Sequence, residues 1–150
     1  MASTNIDNEI VAAVRSIAER LPPHVSLCPV SKTRPASMLL PITSMENGLD
    51  YVFGENYVQD CCDKMDLVAG GDVKAGGDNG EAGTVLPEGT KFAFIGNLQS
   101  NKINKLVKSG RGGRLVRIET IAKVETVEKV RLCHPPRLVL LLSLSMCSFV

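Results

Sequence analysis

Few residues in this chain have side chains suited to chemistry, and one lysine stands out among them. Lys32 closes a largely apolar run, Val25-Ser-Leu-Cys-Pro-Val-Ser31, and is followed by Thr33. A lysine at the end of such a run is partly desolvated, which disfavours the ammonium form and frees the amine. A free amine attacks carbonyl carbon, so imine formation is the chemistry within reach. The competing reading is a surface lysine whose stem lies along apolar side chains. Polar clusters also follow three later apolar segments: Gly54-Glu55-Asn56-Tyr57, Gly96-Asn97-Leu98-Gln99-Ser100-Asn101-Lys102, and Glu119-Thr120. Metal chemistry is poorly supplied, with histidines only at 24 and 134. The five cysteines, at 28, 61, 62, 133 and 147, are odd in number, two are adjacent, and none form a CxxC pair. That pattern argues against a disulfide framework or a zinc site and for a reduced, intracellular chain.

The elements that hold these clusters alternate in type. Ile6, Ile10, Ala13, Val14, Ile17 and Leu21 share one helical face, predicting a helix over Ile6–Arg20 that Pro22-Pro23 ends. Val25–Ser31 reads as a short buried strand, with Pro29 awkward in it because it cannot donate to a ladder. Residues 35–47 read as a helix kinked at Pro41 and stopped by Gly48. Strands are expected at 49–53, 91–95 and 114–118, and helices at 56–68, about 100–108 and from Ile121 onward. Strands alternating with helices of this length imply parallel βα units, in which function gathers at the carboxyl ends of the strands. Every cluster named above falls at such an end.

Residues 69–90 break the alternation with seven glycines and few large apolar side chains, and are expected to be a flexible surface insertion. A glycine-rich run cradles phosphate only between a strand and a helix, and these flanks do not fit. From Leu138 to Val150 no residue is charged, and 13 residues are too few to span a bilayer. This segment resembles nothing earlier in the chain, as if it came from outside the original domain frame. Its alternative reading is an ordinary buried C-terminal strand. The expected division is a domain over 1–130 and an atypical apolar tail over 131–150.

Composition agrees with a globular chain. Of 150 residues, 44% are hydrophobic and 22% charged, enough for one core. Seventeen basic against sixteen acidic side chains give no electrostatic footprint for nucleic acid or an anionic membrane. The opening Met-Ala-Ser-Thr-Asn-Ile-Asp-Asn-Glu-Ile shows neither a secretory nor a mitochondrial leader.

Three motifs occur in order: Val30-Ser-Lys-Thr-Arg-Pro35, Phe53-Gly-Glu-Asn-Tyr-Val-Gln59 and Phe94-Ile-Gly-Asn-Leu-Gln-Ser-Asn-Lys102. Together they resemble the pyridoxal phosphate homeostasis protein family, from about Val25 to Glu128. The resemblance implies a partial (β/α)8 TIM-type barrel, similar to the alanine racemase N-terminal barrel, with about four parallel βα units and an N-terminal helix. It implies pyridoxal 5′-phosphate as cofactor, held by a Schiff base to Lys32. Asn56 is the candidate polar neighbour of the cofactor ring and equally a candidate helix N-cap. Glu55 either sets the charge of the site or is a first-turn acid favoured by the helix dipole. Ser100 is the expected cap of the following helix. No catalytic residue and no metal ligand are expected.

The sequence departs from the family pattern at Ala93, where a histidine is usual, at Asn97, where histidine or proline is frequent, and at Pro29. It also holds half the βα units of a full barrel. The family's phosphate contacts lie in a C-terminal half absent from this chain, so weak hold on the cofactor is expected. The implied role is intracellular cofactor homeostasis without turnover. The expected location is the cytoplasm, with mitochondria as the alternative, and pyridoxal-phosphate-dependent apoenzymes are candidate partners. A racemase-like enzyme or a truncated fragment that binds nothing are the competing functions. Racemisation needs an acid/base on each face of the substrate, and no second group is clearly placed.

Overall fold

The computed structural model describes residues 3–46, 48–70, 83–121, 123–133 and 139–142. Helix α1 (Ser3–Ala18) packs Ile10 and Val14 against the core and leaves Ile6 and Ile17 half exposed. A 3-10 turn (Ala36–Leu39) runs into α2 (Leu40–Thr43), with Pro41 in the first turn, where its missing N–H costs nothing. A second 3-10 turn covers Gly48–Asp50. The remainder alternates strictly: β1 (Val52–Glu55), α3 (Val58–Asp66), β2 (Lys91–Phe94), α4 (Ile103–Ser109), β3 (Leu115–Ile121), α5 (Val124–Cys133) and β4 (Val139–Leu142). The four strands form one parallel sheet in sequence order, β1-β2-β3-β4. Each crossover therefore carries a helix, as parallel neighbours require.

Phe53 of β1 and Phe92 and Phe94 of β2 face the helices, with the rings of Phe53 and Phe92 6.0 Å apart. Met65 from α3, Ile103 and Leu106 from α4, and Leu115 and Ile118 from β3 complete a core in which these side chains are fully buried.

The expected strand over Val25–Ser31 shrinks to a single parallel bridge, Val30 to Gly54. Gly54 N–H donates to the Pro29 carbonyl (2.9 Å) and Ser31 N–H to the Gly54 carbonyl (3.0 Å). Pro29 has no N–H to continue the ladder backwards, so pairing starts after it. Val25 and Val30 are exposed rather than buried. The second strand lies at Val52–Glu55, not 49–53, because Leu49 and Asp50 are taken up by the 3-10 turn. β3 extends to Ile121, which delays α5 to Val124.

The expected surface insertion over 69–90 is only partly a loop. Ala69 N–H donates to the Leu86 carbonyl and Leu86 N–H to the Leu67 carbonyl, both at 2.9 Å, across a parallel bridge at Val68–Leu86, and Leu86 is fully buried. Residues 71–82 lie outside the described residues. At the C-terminal end, α5 continues to Cys133, across the expected boundary at 130/131. Val139–Leu142 forms β4 and joins the sheet beside β3. Residues 143–150 lie outside the described residues.

Candidate functional site

Lys32 sits two residues beyond the bridge at Val30, on a tight turn. The Ser31 carbonyl accepts the Arg34 N–H (3.0 Å), closing a four-residue turn with Lys32 and Thr33 at its centre. Thr33 has φ 60°, the positive value that the third position of a type II turn requires and a β-branched residue resists. Residues 32 to 35 are all exposed. The partial desolvation expected of Lys32 is therefore not found, and its amine is open to a solute.

Beneath the turn lies a buried polar network. Ser31 Oγ donates to Glu55 Oε1 at 2.5 Å, and Lys64 Nζ donates to the same oxygen at 2.5 Å. Lys64 Nζ also donates to the Ser31 carbonyl at 2.7 Å. Glu55 is fully buried and Lys64 is 5% exposed, while Glu55 Oε2 has no hydrogen-bond partner. Local patterning explains the arrangement. Glu55 ends β1, on the same face as Phe53 two residues earlier. Lys64 lies three residues after Cys61 on the buried face of α3, so its stem runs among apolar side chains. Glu55 is thus not a first-turn acid, because the strand extends to include it. Neither Ser31 nor Lys64 was a candidate from the sequence. The readable signal for Lys64 was a lone cation on the apolar face of its helix.

Asn56 follows Glu55, just beyond the end of β1. The N-cap of α3 is Tyr57, without a side-chain cap bond, so Asn56 is not the cap. Its Oδ1 is buried and has no hydrogen-bond partner. Asn56 lines a cleft of about 480 Å³ with Tyr57, Gln59, Gly96, Asn97, Lys102 and Lys105. The glycine of the third motif is packed against Asn56 itself: a Cβ on Gly96 would lie 2.2 Å from the Asn56 carbonyl oxygen. Only glycine permits that approach. Lys105 donates to Gln59 Oε1, whose amide nitrogen donates to Asp63 Oδ1 at 2.6 Å. Ser100 is not a cap, since α4 starts at Ile103 with Lys102 before it. Lys32 and Asn56 each lie two residues past the bridged pair Val30 and Gly54, at one end of the sheet. Asn56, but not Lys32, borders the cleft. A second cleft, of about 650 Å³, lies between α1 and residues 37–44 and contains none of the motif residues.

Behind the bridge, Cys28 Sγ lies 3.3 Å from where a Cβ on Gly54 would stand. Burial pushes its thiol up from the ordinary 9.0, and the nearby Arg117 guanidinium opposes the shift. This thiol is not poised as a nucleophile.

No family model matches the chain. Among curated proteins it is similar to the pyridoxal phosphate homeostasis protein of Homo sapiens, 32% identical over 130 residues, covering 79% of this chain and 40% of that protein. The Bos taurus protein of the same name is 30% identical over 132 residues, covering 80% of this chain and 39% of its own length. The chain thus spans about two fifths of the length of these relatives. Among solved structures, PipY of Synechococcus elongatus with pyridoxal phosphate bound matches at TM-score 0.55 and 23% identity, over 83% of this chain and 47% of that one. That likeness shows the fold: the parallel βα units are those of part of a larger barrel. Over about four fifths of its length, this chain is similar in sequence to the pyridoxal phosphate homeostasis proteins.

Proposed function

We propose that this chain binds pyridoxal 5′-phosphate covalently through the Lys32 amine and serves cofactor homeostasis as a carrier rather than as an enzyme. The observation that carries the reading is Lys32 itself. It occupies the lysine of the first motif, and it stands exposed on a clamped, strained turn at the carboxyl end of the sheet. The residues present fit the group. An aldehyde needs an accessible primary amine, which Lys32 supplies, and a polar ring needs a hydrogen-bonding neighbour. Asn56 Oδ1 is a buried acceptor without a partner at the same end of the sheet. Bound pyridoxal phosphate supplies an electrophilic aldehyde carbon. The protein contributes the nucleophile at Lys32 Nζ, a hydrogen-bonded turn beneath it, and the Asn56 carboxamide at the same end of the sheet.

The name the relatives carry supports homeostasis as the role, with a cytoplasmic location and transfer to apoenzymes as its corollaries. No described helix is long and apolar enough to cross a membrane. Residues 1–130 are the cofactor-binding part in this reading. Absorbance titration with pyridoxal phosphate tests it. A saturable new band should appear in the wild type and be absent in Lys32→Ala, whose melting temperature should stay within a few degrees because an exposed lysine leaves no cavity. An unchanged band in Lys32→Ala would refute the assignment. No turnover of L-alanine to D-alanine is expected, and sustained turnover would overturn the carrier role.

A further inference from the structure

We infer that Lys64 is a positioning residue for Lys32. Through its hydrogen bond to the Ser31 carbonyl and its ion pair with Glu55, it holds the 31–34 turn in the conformation that presents the amine. This deepens the reading above and rests on it. Four bonds converge on Ser31, the residue before the lysine. Its N–H reaches the Gly54 carbonyl, its Oγ reaches Glu55, and its carbonyl accepts both the Arg34 N–H and Lys64 Nζ. A carbonyl has two lone pairs, and here both are used. The bond from Lys64 is charge-assisted, so it is the stronger of the two on that oxygen.

The turn has little else to hold it. Residues 32–35 are exposed, so packing contributes nothing on the outer side. Thr33 at φ 60° stores backbone strain, and strain persists only where the surroundings over-determine the conformation. The over-determining bonds all come from below, from Glu55 and Lys64 and from the bridge to Gly54. A buried ion pair contributes little net stability compared with well-packed apolar side chains of the same volume. What Lys64 supplies that an apolar side chain would not is a fixed donor aimed at the Ser31 carbonyl.

The test compares the wild-type chain with Lys64→Met and with Glu55→Gln/Lys64→Met. The single variant leaves an unpaired buried carboxylate and is the one at risk of unfolding. The double variant removes both charges, while the carboxamide oxygen at position 55 still accepts from Ser31 Oγ. Two readouts are used. Amide hydrogen exchange needs no cofactor and reports the turn at Arg34. Incubation with pyridoxal phosphate, borohydride trapping and peptide mapping gives the ratio of label on Lys32 to label on Lys102. In the double variant, melting close to wild type, the Arg34 amide should exchange at least about tenfold faster and the labelling ratio should fall about tenfold, the scale of loss expected from a misplaced reacting group. Unchanged exchange and an unchanged ratio in the folded double variant would overturn the proposal. So would an unprotected Arg34 amide in the wild type, a measurement that stands even if neither variant folds. If the wild type shows no preference for Lys32, the cofactor reading fails, and the exchange data still decide whether Lys64 holds the turn.

Discussion

At the residue scale, three consecutive positions define the turn. Ser31 is anchored, Lys32 is presented, and Thr33 bears the strain of the turn between them. Positive φ costs a non-glycine residue about 1–2 kcal/mol, partly offset by the extra freedom glycine has when unfolded. Thr33→Gly should therefore raise stability by up to about 1 kcal/mol in urea unfolding. A clear loss would mean that the Thr33 side chain makes a contact worth more than the strain. Lys32 and Asn56 stand out as candidates in the sequence because whole motifs surround them. Their surroundings were not. Glu55 meets Ser31 across 24 residues and Lys64 across 9, and pairings of that range leave no local signal. Asn56 was open as a cap because asparagine is a favoured N-cap. The structure gives that place to Tyr57 and leaves the Asn56 oxygen without a partner.

At the element scale, the alternation of strand and helix was legible from the period of apolar residues, and the parallel sheet followed from it. Boundaries were less so. Pro29 reduced one expected strand to a bridge, and Ile121 proved to end a strand rather than start a helix. The glycine-rich stretch shows why composition misleads at its margins. Leu86 is one apolar residue among small ones, yet it is fully buried and pairs with the end of α3. Leu86→Ala should cost about 2–5 kcal/mol, as for other buried leucines. Deleting residues 71–82, in which Val73 is the one large apolar residue, should change stability by less than about 1 kcal/mol, because the sequence there has little apolar surface to bury. Thermal unfolding of the two variants separates the cases. Equal losses would contradict this division of the segment into a packed base and a span that contributes little.

At the scale of the whole molecule, the thiols give the fold a pH limit. Burial raises Cys61 well above the ordinary 9.0, with Cys62 beside it adding to the shift, and it raises Cys62 and Cys28 as well. Above pH 9 the unfolded chain releases these protons while the native state keeps them. The native state then binds more protons, so stability is full below the ordinary value and declines as pH rises through the raised ones, by up to about 1.4 kcal/mol per pH unit for each thiol. Urea midpoints between pH 8 and 10 should fall more steeply for the wild type than for Cys61→Ala, and equal slopes would contradict the assignment. The chain also spans only about two fifths of its relatives' length, so the proposed cofactor capture rests on a part of the barrel. The central claim is that this part presents one reactive amine. Its most direct measurement is the position of the label after the chain is incubated with pyridoxal phosphate, reduced with borohydride and mapped by peptide mass. The account predicts a single dominant adduct on the peptide containing Lys32. Label spread evenly over the exposed lysines, or concentrated on Lys102, would contradict it.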